Sequence, residues 1–454
     1  MNIIHLTPGA GLMYCGGCLR DNALVAALRK LGHEALMVPL YLPLTLDEED
    51  QSAGTPVFFG GISVYLEQKT ALFRGAPGWL HDLFASRRLL AWAAGRAAKT
   101  RAADLGELTL SMLRGEAGNQ AREIEVLIAW LKTQPKPDVL SLSNALLIGM
   151  VRRLKAELRI PVACSLQGED TFLDALPESH RAACWQTLAE RAADVDLFVA
   201  PSRYFGNLMR ERLGLPADRV RVVHNGINLD GYAAASEAST VEGRRGPPPS
   251  SLAPCPSPPV LGFFARMCRE KGLDTLVEAY IRLRQRGRVG QVKLRVGGSC
   301  GPADAAFVDS LRERLQAGGL LSDVEFHPNA DRAGKLALLR SLSVFSVPAL
   351  YGEAFGLYVI EALAAGVPVV QPRVAAFPEL VEATGGGVLC AGEPGPLAEA
   401  IEELLLNPAR ARALGEAGRR AVFERFSAEA MARETLRVYG ELIECMSRRP
   451  QVTL

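Results

Sequence analysis

The 454-residue chain predicts an α/β fold made of two Rossmann-like domains, each a doubly wound parallel sheet. Three observations carry that prediction. The length exceeds what one core usually fills. Apolar strand-like runs alternate with amphipathic helical stretches, a βα rhythm. The rhythm breaks over residues 233–259, AAASEASTVEGRRGPPPSSLAPCPSPP, and resumes beyond it. A stretch so rich in Pro, Ser and Ala has little to bury and reads as a linker or disordered loop.

The opening Asn2–Thr7 reads as a buried strand, followed by a glycine loop in MYCGGCLRDN. In ALVAALRKLGH, Leu24, Val25, Leu28 and Leu31 fall on one helix face, and Gly32 sits at a C-cap position. EALMVPLY is the second strand. Residues 44–133 are less regular and hold a strand, ISVYLEQ, and a basic amphipathic helix, RRLLAWAAGRAAKTRAADLG. The rhythm returns at PDVLSLSN, IPVACSLQGED, VDLFVAPS and RVRVVHNGI, which closes a first domain over 1–232. VLGFFAR, VKLRVGG, VEFHPN, SVFSVPA and GVPVVQP build a second over 260–427, and 428–454 form a final helix. Ligands of such sheets bind at the carboxyl ends of the strands, here in a cleft between the two halves.

Composition removes several function classes. A net charge of +1 without long charged blocks gives no field for nucleic acid. The start MNIIHLTPGAG has neither the basic residues nor the long apolar run of a secretory signal. No stretch reaches the roughly 18 apolar residues of a membrane span. Nine scattered cysteines do not form a secreted disulfide framework, so a cytoplasmic protein with reduced thiols is expected. Arg87, Arg88, Arg96, Lys99 and Arg101 make the basic helix a candidate for peripheral membrane contact; a solvated face is the plainer reading.

Chemistry concentrates in LYGEAFGLYVIEALAAGVPVVQP, residues 350–372. Glu353 precedes a helix that carries Glu361, and Gly366 and Pro368 stop that helix. Its N-terminus offers unpaired N–H groups to a phosphate, and Gly356 allows close backbone approach. Phe355 and Leu357 flank that glycine and belong to the same candidate substrate site. GFFARMCREKGLDTLVEAY supplies Arg266 and Lys271 on a strand-to-helix loop. Two fixed cations offset the charge of a diphosphate leaving group. On their own, two glutamates on a helix and two surface cations have ordinary solvated readings.

Together these segments, with VVHNGINLDGY and FSAEAMARETLRVYGELIE in order, resemble the retaining GT-B glycosyltransferases of family 4 (glycosyl transferases group 1). The resemblance implies a nucleotide-sugar donor, such as a UDP-, GDP- or ADP-sugar, bound by the C-terminal domain. Arg266 and Lys271 would hold the diphosphate, Glu353 the sugar hydroxyls and Glu361 the ribose. The last helix would cross back to the N-terminal, acceptor-side domain. Gly16 and Gly17 match the family's glycine-rich loop facing the donor phosphates, so Cys15 and Cys18 read as small residues flanking a turn, although a metal role with Cys164 stays open. The family's His-Gly-x-Asp segment appears as SLQGEDTF: Gly168 and Asp170 match, but Gln167 stands at the His position. Gln cannot carry a proton, and the resemblance needs no protein base, because the departing phosphate oxygen takes it. Glu169 or Asp170 would orient the acceptor, with a helix N-cap as the alternative for Asp170. Asp194-Val-Asp196 looks like a metal motif of the other glycosyltransferase fold and is discounted; no metal and no further cofactor are expected. His5, His33 and His224 read as structural, and His327 lies in a loop expected near the base. The acceptor, a small molecule, glycan or lipid, is unknown. The long N-terminal insertion and VYLEQKTALFR suggest a glucan synthase-like elongating enzyme as one alternative, and Gln167 at the His position a nucleotide-sugar-binding protein with hydrolase, epimerase or no transfer activity as another.

Overall fold

The computed structural model describes residues 1–9, 16–59, 102–232 and 258–448. The strand expected at ISVYLEQ, the basic residues 87–101, Cys15 and nearly all of the linker lie outside them. The chain divides into two units, Met1–Asn225 with Ala428–Leu454, and Gly226–Ser427.

In the first unit β1 (Asn2–Thr7) leads into α1 (Gly16–Lys30) and β2 (Glu34–Pro39). After α2 (Ala102–Arg114) and α3 (Ala121–Leu131) come β3 (Val139–Leu142), α4 (Val151–Leu158), β4 (Val162–Ser165), α5 (Glu169–Asp174) and α6 (Glu178–Ala192). Then β5 (Leu197–Ala200), α7 (Arg203–Leu213) and β6 (Val220–Val222) complete the series. All strands are parallel, in the order β2-β1-β3-β4-β5-β6. The order reverses between β1 and β3, the topological switch point. Strands β3, β4 and β5 are buried along their whole length, as expected of a sheet covered on both faces.

The second unit runs β7 (Val260–Phe264), α8 (Leu273–Arg286), β8 (Lys293–Gly298), α9 (Ala305–Ala317), β9 (Val324–Pro328), α10 (Arg332–Arg340) and β10 (Val344–Phe345). It continues with α11 (Leu357–Ala364), β11 (Val369–Pro372), α12 (Phe377–Thr384), β12 (Gly387–Cys390), α13 (Pro394–Leu406) and α14 (Pro408–Arg425). The order β12-β11-β10-β7-β8-β9 is the doubly wound dinucleotide-fold pattern, with its switch point between β7 and β10. Phe263, Val296, Phe345 and Val370 from the strands meet Leu276, Tyr280, Ile360 and Leu363 from the helices in one core.

The last helix, α15 (Ala428–Ser447), belongs to the first unit. Met431, Ala432, Val438, Tyr439 and Leu442 bury one stripe against Leu24, Val25 and Leu28 of α1. Each large apolar side chain so buried contributes about 1.5–3 kcal/mol. The Tyr439 hydroxyl is also satisfied, donating to Ser141 Oγ at 2.7 Å. No helix among the described residues is long and apolar enough to cross a membrane.

Candidate active site

The loops after β7 and β10 flank the switch point of the second sheet, and they carry Arg266, Lys271 and Glu353. Gly272 (φ +72°) locks the first loop against the second, since a Cβ there would lie 1.9 Å from the Pro348 carbonyl oxygen. Leu350 N donates to Glu270 O at 3.0 Å and ties the loops further. Lys271 Nζ reaches Glu353 Oε2 at 2.5 Å, with both side chains largely buried. The same oxygen accepts from the Tyr358 hydroxyl at 2.8 Å and the Tyr351 hydroxyl at 3.4 Å. Lys271 Nζ also lies 5.0 and 5.3 Å from the Tyr351 and Tyr358 ring centres, within cation–π range. Burial pushes the ammonium pKa down, but Glu353 and Tyr351 more than offset it and the group is raised, so it stays charged. Burial pushes the Tyr351 phenol up to about 12, which keeps it a donor.

Arg266 is held differently. Its Nε and Nη2 donate to the two oxygens of Asp304, each at 3.0 Å, while 58% of the side chain stays exposed. The hydrogen bonds it donates to Asp304 raise the guanidinium pKa. Asp304 occupies one edge of the fork, and Nη1 is left for a ligand. Both expected cations are therefore held by carboxylates.

Gly356, with φ +93°, is the N-cap of α11 and makes no side-chain cap bond, the kind of helix start that suits an anion. Phe355 is buried beside Phe426, Leu357 opens the helix half-buried, and Glu361 lies one turn on. Glu361 Oε1 meets Lys335 Nζ of α10 at 2.9 Å. Replacing Gly356 by Ala forces a left-handed alanine and is expected to destabilise the protein by about 1–2 kcal/mol, read as a lower denaturant midpoint with unchanged slope.

Two family models match the chain, Glycosyl transferases group 1 over residues 251–421 and Glycosyltransferase Family 4 over residues 106–230. The alpha-maltose-1-phosphate synthase of Mycolicibacterium smegmatis is 30% identical over 59% of this chain and 69% of its own length. The chain belongs to the group 1 glycosyltransferases. Across the first curated relatives it spans only 35%, 53% and 61% of their length. Among solved structures, sucrose-phosphate synthase from Thermosynechococcus elongatus has a TM-score of 0.69 at 21% identity, covering 98% of this chain and 100% of its own. HepE of Anabaena, in complex with UDP-glucose, has a TM-score of 0.63 at 17% identity, covering 97% and 99%. These neighbours share the two-domain GT-B fold.

In the first unit of this group 1 glycosyltransferase, Gly16 and Gly17 do not form a loop. They are the first two residues of α1. Among the described residues after β1, Gly9 has φ +75°, and a Cβ there would lie 1.8 Å from Leu42 O. The loop expected at Gly16 and Gly17 is therefore a helix start, which two adjacent glycines resemble in sequence.

Beneath α1 lies a buried polar network. Asp21 accepts from Thr7 Oγ1 at 2.9 Å, Ser143 Oγ at 2.5 Å and Arg20 Nη1 at 2.7 Å, and lies 3.3 Å from His5 Nε2. Arg20 also donates to Asn225 Oδ1 and Ser165 Oγ. Asn225 Nδ2 in turn reaches Gln167 Oε1 at 3.4 Å. Gln167 Nε2 and Asp170 Oδ1 are buried without a hydrogen-bond partner among the described residues, so a donor and an acceptor remain unused beside one loop.

Glu169 is spent on structure. Its carboxylate accepts from the backbone N–H groups of Ala145, Gln167 and Gly168 at 2.8, 2.9 and 3.1 Å. These bonds tie the Gln167–Gly168 turn to Ala145, while α5 itself, with Gly168 as N-cap, has no side-chain cap bond. Asp194 and Asp196 pair with Arg152 and Lys155, and Cys18 and Cys164 are buried. His327 is exposed beside Glu325.

Proposed function

We propose that this chain transfers a glycosyl group from a nucleoside diphosphate sugar to an acceptor hydroxyl, with retention and without a divalent ion. The observation that carries the reading is the Lys271–Glu353 pair beside Arg266 at the switch point of a dinucleotide-type sheet. A solved neighbour of the same fold that holds UDP-glucose supports the donor class. Arg266 and Lys271 offset the charge that grows on the departing diphosphate as the anomeric C–O bond breaks. Glu353 Oε2 is filled by Lys271 and the two tyrosines, so Oε1 accepts from a sugar hydroxyl. Glu361 takes the ribose, and the amides at Gly356 and Leu357 support the phosphates. The acceptor oxygen bonds to the anomeric carbon on the face the leaving group vacates, and its proton passes to the departing phosphate oxygen. Gln167 and Asp170 orient the acceptor side without exchanging that proton. Gly16 and Gly17, the first residues of α1, are the first unit's candidates to offer backbone N–H groups to an anionic substrate.

A thermal-shift panel of UDP-, GDP- and ADP-sugars tests this. One base is expected to raise Tm by a few degrees at saturating ligand, equally with and without EDTA. Arg266→Ala should lose the shift. A flat panel, or an equal shift in the variant, sinks the donor assignment; an inverted anomer in the product sinks retention.

A further inference from the structure

We propose that Lys335 is a positioning residue that orients Glu361 for the ribose of the donor; this rests on the ribose assignment of Glu361 above. Lys335 sits in the second turn of α10, a helix opened by Asp331, whose carboxylate accepts from Gly334 N at 2.7 Å. Lys335, the next residue, is only 6% exposed. A buried ammonium needs a partner, and Glu361 supplies one at 2.9 Å. Glu361 is the single charged residue of α11, whose other residues are buried except Leu357. An isolated carboxylate on such a helix sweeps several rotamers; the lysine selects one.

The arrangement repeats what happens at Glu353. Each glutamate has one oxygen held by a largely buried lysine from another element. Each leaves its second oxygen without a partner among the described residues. A pair serving only to brace α10 against α11 has no need of that open oxygen. A diol-binding carboxylate does, because it must present a lone pair in a fixed direction.

The test uses the full chain and measures dissociation constants for UDP, ADP and GDP, each beside its 2′,3′-dideoxy form, with inorganic pyrophosphate as a ribose-free control. The wild type is expected to prefer the ribose form of its base by about tenfold or more, the effect of a charge-assisted hydrogen bond. Lys335→Met should reduce that preference to about threefold or less and leave pyrophosphate binding within about twofold. The double variant Lys335→Met/Glu361→Gln, which leaves no unpaired charge, should behave the same and guards against a folding defect. Full ribose preference in Lys335→Met overturns the positioning role alone. No ribose preference in the wild type overturns the ribose assignment and the inference with it.

Discussion

Lys271→Ala is expected to lower kcat/KM by about 10²–10³-fold, the range seen when one preorganised donor is removed from a developing anion. The loss should fall mainly on kcat, because the ammonium meets more charge in the transition state than in the bound donor. The variant also leaves Glu353 largely buried without its counter-charge, so the oxygen proposed to take the sugar is expected to be misdirected at the same time. Lys271→Arg should not rescue. The ammonium lies about 5 Å from two tyrosine rings, and a planar guanidinium does not fit a site shaped for a compact cation. Steady-state kinetics with the donor found by thermal shift measures both variants. Activity within about threefold of wild type in Lys271→Ala, well short of the loss expected for a preorganised donor, would remove the residue from the reaction.

The strands were legible because buried parallel strands are apolar runs, and β3, β4 and β5 are unbroken ones. Strand β12 escaped because Gly387–Cys390 follows a run of glycines and is only half-buried. Arg266, Lys271, Glu353 and Glu361 were readable from spacing and family likeness. Their partners were not. Asp304, Lys335, Tyr351 and Tyr358 meet them through sheet topology or loop packing, and no local pattern marks an aspartate or a lysine as the far half of a pair. The close approach of Gly9 to Leu42 was hidden for the same reason, because only the folded chain brings Leu42 there.

The buried network under α1 gives the largest stability effect. Asp21 is fully buried and Arg20 is 3% exposed, so Asp21→Ala strands a guanidinium in the interior. The expected cost is about 3–5 kcal/mol, a large share of a typical domain's stability. Urea unfolding of the full chain measures it. Replacing both members, Arg20→Met with Asp21→Leu, should recover much of the loss, because the cost comes from the unpaired charge rather than from the missing attraction. The same carboxylate makes stability acid-sensitive. Burial pushes its pKa up, but the His5 ring, the Arg20 guanidinium and the Ser143 hydroxyl together hold it well below the ordinary 3.8. A depressed carboxylate contributes fully above its unfolded pKa and loses that contribution as the pH falls toward its folded one. Wild-type stability attributable to Asp21 should therefore be complete above pH 3.8 and fall below it, while the double variant shows a shallower acid slope. Equal slopes in the two proteins would place the acid sensitivity elsewhere, and a cost under about 1 kcal/mol for Asp21→Ala would mean that water reaches Arg20 in the folded chain.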